Sequence, residues 1–534
     1  MTRATRLAFL AAAALFAAAH MPTSAAQTVA GTPRAITPYF YGMTLDSTIY
    51  YPGIWSSPSR YPPFPALMQG FRFSTLRYPG GLESECWSWQ SGDFIGTNQG
   101  VPCSQFATVA PPGFDLGVLG QAIGSTAALP LFNLNLITAT FDVATDPNNQ
   151  MAMLGAAQAS GINARLIELG NELYWQYPSY LSAFPTAEAY ATAASNMAAE
   201  IHQRFPSADV KVAAVAASIP NPGVPRFVGW NAGLAALTNV DALTMHPYPH
   251  LDAYVPDAEI ENPTAATIPL VLAIPFAGAA QFAGDVANLP PSLQAHPVWI
   301  TEYGIWSVAK NVPFNKNVLA STWVVTLANT AFSMLLVQNA RVDMLVNIHL
   351  ANATSAIYQP YAIALNSAGS SAAVSTTGTI WSMFSNAAFS AQSIGALTFP
   401  SAIPFTANGK SYPGLVGIFF AGADGASALV ANLTGGAQPV ELASIFGTDV
   451  PSSFSYISAP PIDPKAAPTK GTGNIAGGAA SLPAYSISLI TSSKGMGGST
   501  ATASKIPTLS EYGLVLLAVA LVVVGMLARR RREA

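Results

Sequence analysis

The sequence alternates eight short β-rich runs with helix-like stretches, and few folds accommodate so regular an alternation. The β-rich runs are residues 40–45, 75–81, 129–136, 165–172, 210–217, 240–248, 298–304 and 343–350. Ala-rich stretches such as residues 186–205 and 317–340 lie between them. Strand and helix repeated eight times predict an α/β fold in which a parallel sheet closes as a (β/α)8 TIM barrel.

The alternation stops near residue 390, where we predict a second domain. Short β-rich runs then follow one another without a long helix: 415–421, 426–433, 439–445, 454–457 and 485–491. This pattern is typical of an antiparallel β-sandwich. We assign residues 27–390 to the barrel and 391–491 to the sandwich, with residues 27–37 as a candidate additional strand of the sandwich. Residues 492–505 are rich in Gly, Ser, Thr and Ala, which predicts a flexible linker.

The composition excludes several classes of protein. Apolar residues make up 51% of the chain and charged residues only 9%, which excludes disorder of the charged type. The net charge is −4 and no basic stripe interleaves with aromatic residues, so nucleic acid is not an expected partner. Two Cys are too few for a disulfide-dense scaffold or a Cys-rich zinc module. The apolar run at 321–340 contains Thr, Asn, Ser and Gln, which favours a buried barrel helix over a membrane span.

The N-terminal residues 1–26 have the organisation of a secretory signal peptide. Arg3 and Arg6 precede an apolar run at 7–19, and the small residues 24–26 supply a cleavage site. The alternative is an N-terminal core helix. The signal predicts a mature chain that begins near Gln27 and reaches an oxidising compartment.

The C-terminal residues 506–534 contain a second targeting pattern. Ile506-Pro507-Thr508-Leu509 precedes an apolar run at 514–528 and a cluster of Arg at 529–532. This order resembles bacterial C-terminal protein-sorting tails that begin Ile-Pro-Thr-Leu, although Tyr512 stands where that family usually has Trp. The resemblance implies processing by an exosortase-type enzyme at the inner membrane of a Gram-negative bacterium, before anchoring or release at the cell surface. A plain membrane anchor is the alternative.

Several predicted barrel strands end in polar side chains where the rest of the strand is apolar. These are Arg77, Asn171 and Glu172, His246 and Tyr248, Glu302 and Tyr303, and Asn347 and His349. In such barrels the chemistry lies at the C-terminal ends of the strands. Glu172 and Glu302 are therefore candidates for the paired carboxyl groups of glycoside cleavage, in which one protonates the leaving oxygen and the other attacks the anomeric carbon. Glu168 is interpreted as a paired core carboxylate.

These motifs resemble the large clan of retaining glycoside hydrolases that have catalytic carboxylates on barrel strands four and seven. The run Arg77-Tyr78-Pro79-Gly80-Gly81 resembles the Arg-x-Pro-Gly-Gly of α-L-arabinofuranosidases. Leu169-Gly170-Asn171-Glu172 is similar both to that family and to the heparanase and β-glucuronidase group. The resemblance implies a general acid/base at Glu172, a nucleophile at Glu302 and a barrel followed by a β-sandwich. Leu173-Tyr174-Trp175 after Glu172 departs from both families, as do the residues around Glu302.

The candidate substrate-binding residues lie beside these carboxylates. They are Arg77, Asn171, Trp175, His246, Tyr248, Tyr303, Trp306 and His349. Trp175 and Trp306 are the candidate stacking platforms for sugar rings, because they follow the two catalytic strands. Arg77 would favour the ionised form of Glu302. No His or carboxylate spacing matches a metal-binding motif, so we predict neither a metal nor a cofactor.

Cys86 and Cys103 enclose a short loop after the second strand and are expected to form a disulfide after export.

Three functions compete at this stage. The first is an exported retaining glycosidase that cleaves O-glycosidic bonds of poly- or oligosaccharides by double displacement. The second is an inactive carbohydrate-binding or structural cell-surface protein on the same fold. The third is a different barrel enzyme, which a phosphate-binding Gly-rich turn after strand seven or eight would favour, but Gly304-Ile305-Trp306 does not supply one.

Overall fold

The computed structural model describes residues 28–46, 48, 64–95, 103–109, 112–137, 148–353, 361–365, 372–423 and 425–492. The predicted signal peptide at 1–26, all but the first residue of the linker at 492–505, and the sorting tail at 506–534 lie outside these ranges.

The first part of the chain forms a closed, parallel, eight-stranded barrel, which confirms the predicted fold class. The strands of this part are β1 (Thr28–Ala35), β2 (Tyr41–Thr44), β3 (Thr75–Tyr78), β4 (Trp87–Ser88), β5 (Asp93–Phe94), β6 (Leu129–Asn133), β7 (Leu166–Leu169), β8 (Lys211–Val215), β9 (Ala242–Met245), β10 (Val298–Ile300), β11 (Val342–Asn347), β12 (Ala351–Ala353), β13 (Ile363–Leu365) and β14 (Ala372–Val374). The barrel order is β2-β3-β6-β7-β8-β9-β10-β11, and β11 closes it by pairing with β2.

Helices surround the barrel strands. They are α1 (Phe64–Gln69), α2 (Leu116–Thr126), α3 (Asn148–Ala159), α4 (Pro178–Ala183), α5 (Ala187–Arg204), α6 (Pro225–Gly233), α7 (Asp257–Glu261), α8 (Thr267–Ala287), α9 (Trp323–Leu336), α10 (Thr376–Ala388) and α11 (Ala443–Phe446), the last of which lies in the second domain. Side-chain caps fix the starts of several helices. Thr186 accepts a hydrogen bond from the Ala189 N–H, and Asp115 accepts one from the Val118 N–H.

Two of the barrel helices are strongly apolar. The run predicted as a barrel helix contains α9, which is almost entirely buried. Among the described residues, α8 is the one helix long and apolar enough to cross a membrane, but it lies between β9 and β10 and packs against α9. Its apolar character is therefore explained by its packing in the layer of helices around the barrel.

Side chains of alternate residues fill the interior of the barrel. A layer of apolar side chains lies between the strands: Leu131, Leu166, Ala213, Ala242, Trp299, Met344 and Val346. Toward the C-terminal ends of the strands, Arg77, Glu168 and Thr301 are buried and bonded to one another. A polar layer thus lies directly beneath the mouth of the barrel.

The second domain is an antiparallel sheet of nine strands that also includes β1. Its strands after β14 are β15 (Ser393–Thr398), β18 (Leu415–Gly422), β19 (Gly425–Asn432), β20 (Gln438–Glu441), β21 (Ser453–Ser458), β22 (Thr469–Ala476), β23 (Ala479–Leu482) and β24 (Ser486–Thr491), and a separate hairpin is formed by β16 (Phe405–Ala407) and β17 (Lys410–Tyr412). Along β18, Ile418 and Phe420 join the core that includes the barrel, whereas Leu415 and Phe419 join a core of the second domain. Both faces of β18 are buried, which explains its continuous apolar run.

Cys86 and Cys103 form a disulfide, with their Cα atoms 5.4 Å apart. Both side chains are buried in the loop region after β3. The bridge joins the short 3-10 helices Leu82–Cys86 and Cys103–Phe106, which cover one side of the barrel mouth.

We expect that replacing both Cys by Ser lowers the free energy of unfolding by about 3 kcal/mol, because the bridge closes a loop in the unfolded chain. Chemical denaturation of the exported protein measures this loss. Thiol labelling of the non-reduced, denatured wild type should modify neither Cys. Two labelled Cys would show that no bridge forms.

Candidate active site

A cavity of about 510 Å³ opens at the C-terminal ends of the barrel strands. Its walls include Glu172 and Glu302, and also six of the eight predicted substrate-binding residues: Asn171, Trp175, His246, Tyr248, Trp306 and His349. These side chains follow four different strands, β7, β9, β10 and β11, and converge on one space.

A sharp turn after β7 places Glu172 in the cavity wall. Gly170 has φ +87° and Glu172 has φ +49°, so both residues adopt the left-handed conformation. A Cβ atom on residue 170 would lie 2.7 Å from Leu173 Cδ1 and 2.9 Å from Glu85 Oε1. Glycine at 170 is therefore required both by the backbone angle and by the close packing. The turn ends the strand and directs the side chains of Asn171 and Glu172 into the site.

Three side chains hydrogen-bond the Glu172 carboxylate. Tyr174 donates through its hydroxyl to Oε1 at 2.8 Å, and Trp175 donates through Nε1 to Oε2 at 3.0 Å. His246 Nδ1 lies 3.1 Å from Oε1. Trp175, a predicted stacking platform, lines the cavity, and its ring nitrogen also donates to the candidate acid/base.

Arg77 lies beneath the two carboxylates and is fully buried. Its Nε donates to Glu168 at 2.6 Å, and its two terminal nitrogens donate to Glu302 at 2.7 Å and to Asn171 Oδ1 at 2.8 Å. Burial lowers the pKa of Arg77, but the carboxylates of Glu168 and Glu302 raise it above its ordinary value. Arg77 therefore orients the site from below and does not line the cavity, contrary to its predicted role as a substrate contact.

Glu302 follows β10 and lies opposite Glu172. Its Oε1 accepts from Arg77, and its Oε2 accepts from the Tyr248 hydroxyl at 3.1 Å. One carboxylate oxygen of Glu172, one of Glu302 and a ring nitrogen of His246 all lie within 4.8 Å of one another. The two carboxyl groups thus face each other closely across the cavity.

The pKa values of Glu172 and His246 shift in opposite directions. Burial raises the pKa of Glu172, but the hydrogen bond and charge of His246, with the bonds from Tyr174 and Trp175, lower it below its ordinary value. Burial lowers the pKa of His246, but the charges of Glu302 and Glu172 raise it above its ordinary value. The sequence interpretation required a raised pKa at Glu172, whereas its three hydrogen-bond partners lower that pKa.

The remaining predicted residues occupy different positions. His349 Nδ1 lies 2.8 Å from Asp46 Oδ2 at the cavity wall. Burial lowers the pKa of His349, but Asp46, with the charges of Glu302 and Glu83, raises it above its ordinary value. Trp306 is 43% exposed and packs edge-on against Tyr248. Tyr303 is buried, donates to Asn347, and lines a neighbouring cavity of about 260 Å³ rather than the carboxylate cavity.

Several residues of the cavity wall were not predicted. They include Asp46, Glu83, Gln105, Phe106, Tyr174, Tyr177, Ser218, Ile219, Phe227, His250 and Ile348. Asp46 could have been found, because it directly follows the first predicted strand. Glu83, Gln105 and Phe106 lie on the two short 3-10 helices that the disulfide joins. No local sequence pattern marks them as site residues.

The close approach of Glu172, His246 and Glu302 could also hold a cation, because each offers one ligand atom. Both ring nitrogens of His246 already have partners, Glu172 at Nδ1 and Thr301 at Nε2. A metal ion would therefore have to replace the bond between His246 and Glu172. The expected absence of a metal stays a prediction.

Comparison with known proteins assigns the fold. The chain aligns with a family 51 α-L-arabinofuranosidase from Bifidobacterium longum at a TM-score of 0.67 and 15% identity, over 88% of this chain and 99% of that one. A family 51 arabinofuranosidase from Xanthomonas axonopodis pv. citri gives a TM-score of 0.62 at 15% identity, over 88% and 99%. A 4-O-α-L-rhamnosyl-β-D-glucuronidase from Fusarium oxysporum 12S gives 0.56 at 15% identity, again over 88% and 99%.

These alignments confirm that the chain shares the barrel-and-sandwich fold of such enzymes. At the C-terminus, residues 506–532 match the IPTL-CTERM motif, which confirms the predicted sorting motif. No curated protein matches the chain significantly in sequence.

The shifts at His246 and Glu172 predict how stability depends on pH. The raised pKa of His246 contributes stability that is full below its unfolded value of 6.5 and is lost as pH rises through the folded pKa. The lowered pKa of Glu172 contributes stability above its unfolded value of 4.5, which is lost as pH falls through the folded pKa. The two contributions coincide between these two unfolded values.

His246→Gln should therefore destabilise the protein most in that window, by roughly 1.5–3 kcal/mol for a lost charged hydrogen bond. Thermal unfolding of wild type and variant between about pH 5.5 and about pH 9 measures the difference. The gap in Tm should narrow at the higher pH. A Tm difference that stays constant or widens at the higher pH would contradict the charged hydrogen bond between His246 and Glu172.

Proposed function

We propose that this protein is an exported retaining glycoside hydrolase that cleaves O-glycosidic bonds by double displacement. The observation that carries the proposal is the pair of carboxylates at the mouth of the barrel, in which one oxygen of Glu172 lies within 4.8 Å of one oxygen of Glu302. A retaining mechanism requires carboxyl groups about 5–5.5 Å apart, because the nucleophile attacks without an intervening water. An inverting enzyme holds them at roughly 6.5–9.5 Å.

In the first step, an oxygen of Glu302 attacks the anomeric carbon while the bond to the leaving oxygen breaks. Arg77 and Tyr248 hold Glu302 through both of its oxygens, so the nucleophile is oriented before substrate binds. Glu172 delivers a proton to the leaving oxygen. The proton comes to Glu172 from His246, whose Nδ1 lies 3.1 Å from Glu172 Oε1.

In the second step, Glu172 acts as a general base and takes a proton from water, whose oxygen attacks the anomeric carbon and releases Glu302. Glu172 is ionised once it has given its proton to the leaving oxygen, so it can accept this proton. The negative charge of Glu302 is absent while it carries the sugar, and this charge helps to raise the pKa of His246. Glu302 regains its charge as the sugar leaves, so His246 can take this proton back from Glu172, and both groups return to their starting state.

The cavity wall favours a sugar that presents hydroxyl groups. The Asp46 and Glu83 carboxylates line the cavity and can accept hydrogen bonds from hydroxyls, whereas they would repel the carboxylate of a uronic acid. Asn171 binds Arg77 through its oxygen, so its amide nitrogen is available to the substrate. Trp306 is the exposed aromatic surface on which an apolar sugar face can stack.

Export is the second part of the proposal. The IPTL-CTERM motif at 506–532 and the N-terminal signal pattern support delivery of residues from 27 to about 505 outside the inner membrane, followed by exosortase-type processing. The disulfide between Cys86 and Cys103 accords with an oxidising destination.

We expect Glu302→Gln to abolish turnover of aryl glycosides, because the nucleophile is lost. Glu172→Ala should reduce kcat/KM by about 10²–10⁴ for poor leaving groups and much less for activated ones. Added azide should restore turnover of activated substrates and yield a glycosyl azide of retained configuration. NMR of the products measures the stereochemistry.

An inverted product would show that the double-displacement mechanism is wrong. Carbohydrate binding without turnover by the wild type would favour the alternative, an inactive carbohydrate-binding surface protein.

A reporter enzyme that is active only outside the inner membrane, fused after Ser499, should be active in cells. The same reporter fused to a chain that lacks residues 1–26 should be inactive, because the signal peptide drives export. Activity confined to the cytoplasm in the full fusion would rule out the proposed export.

A further inference from the structure

Glu85 is a fully buried carboxyl group that the proposed mechanism does not use. It lies on the short 3-10 helix Leu82–Cys86, in the loop region after β3. A buried carboxyl group is costly unless it is hydrogen-bonded, so its partners indicate its role.

The Glu85 carboxyl group bridges the ends of two neighbouring barrel strands. Its Oε1 accepts from the backbone N–H of Asn171 at 2.5 Å, just beyond β7, and its Oε2 accepts from the N–H of Leu136 at 2.9 Å, beyond β6. Asn171, whose N–H makes this bond, directly precedes Glu172 in the chain. Glu85 thus holds the backbone that carries the candidate acid/base.

That stretch of backbone needs to be held. Glu172 has φ +49°, a left-handed conformation that costs a residue with a side chain of order 1 kcal/mol or more. Gly170 packs its backbone against Glu85 Oε1 so closely that no side chain fits between them. The turn at Gly170 and the Glu85 carboxyl group are therefore in direct van der Waals contact.

Glu85 is itself fixed on its own side. The adjacent Cys86 is bonded to Cys103, and the Cys103 sulfur lies 3.7 Å from the Glu85 carbonyl oxygen. The N–H of Ile95 donates to the Cys86 carbonyl at 2.7 Å. The backbone of Glu85 is thus held by the disulfide loop, whereas its carboxyl group contacts the segments after β6 and β7.

We propose that Glu85 is a positioning residue for the acid/base, and that the Cys86–Cys103 disulfide anchors it. The carboxyl group sets the turn at Asn171, the turn sets the direction of the Glu172 side chain, and Glu172 meets the leaving oxygen. This inference rests on the proposed glycosidase function.

Burial raises the pKa of Glu85 to about 8, while the N–H groups of Leu136 and Asn171 lower it, Glu168 raises it and Arg77 lowers it. Tyr180 and Tyr190 are the other titratable groups that sense its charge. Either oxygen of a carboxyl group can accept an N–H, whereas the amide nitrogen of Gln cannot. Glu85→Gln keeps the size of the side chain and removes one of its two bonds.

The experiment compares Glu85→Gln with Asp241→Asn. Asp241 accepts the N–H of Val212 at 2.9 Å at the opposite end of the barrel, so it is a matched carboxylate that contacts a strand backbone away from the cavity. For each protein, kcat/KM is measured on aryl glycosides with a poor and an activated leaving group, using a sugar that the wild type hydrolyses.

We expect Glu85→Gln to lower kcat/KM on the poor leaving group by about 10-fold or more and on the activated one by less than about 2-fold, because a displaced acid impairs mainly proton delivery. Asp241→Asn should leave the ratio of the two values unchanged, whatever its effect on Tm. An equal loss on both substrates, or no loss, would overturn the inference.

If Glu85→Gln does not fold, the Cys86→Ser/Cys103→Ser double variant replaces it, because Glu85 then remains but is no longer anchored. A selective loss on the poor leaving group again supports the inference, and an unselective result overturns it. Failure of the proposed function is distinct, because the wild type itself would then hydrolyse none of the glycosides.

Discussion

The buried guanidinium of Arg77 is the interaction on which the site depends. It contacts Glu168 within the barrel, Glu302 at the end of β10 and Asn171 in the turn after β7. Three separate segments therefore have to meet at one fully desolvated cation. Removal of such a partner leaves buried carboxylates uncompensated and typically costs about 3–5 kcal/mol. The same contact that stabilises the barrel mouth thus orients Glu302, the candidate nucleophile.

His246 extends this network to the acid/base side. Its Nε2 lies 2.9 Å from the Thr301 hydroxyl, which donates to Glu168, and its Nδ1 faces Glu172. Glu168, predicted as a paired core carboxylate, is thus the point at which the contacts of Arg77 and His246 meet. Because the two candidate catalytic carboxylates share this connected network, a change of charge at one alters the proton affinity at the other.

The sequence was sufficient for the barrel and for the two carboxylates, because buried strands and polar strand ends leave a local pattern. Glu172 and Glu302 stand directly after apolar runs, and both lie in the cavity wall. The bonds that Glu85 and Trp175 make could not be predicted in this way. Their roles depend on the left-handed turn at Glu172 and on a loop closed by a disulfide, which are properties of the folded chain. The burial of Arg77 could not be predicted from the sequence either. Because it is buried, Arg77 holds Glu302 and Asn171 in place and does not line the cavity.

The departure at Leu173-Tyr174-Trp175 has a structural explanation. Tyr174 and Trp175 supply two of the hydrogen bonds to Glu172, and both rings pack on Phe227 of α6. Arg226 of the same helix donates to the Leu173 carbonyl, so α6 fixes this short segment. Burial raises the pKa of Glu172, and His246 together with these two neighbouring residues lowers it. A change of sequence at Tyr174 or Trp175 would thus alter the proton affinity of Glu172 without a change in the barrel strands.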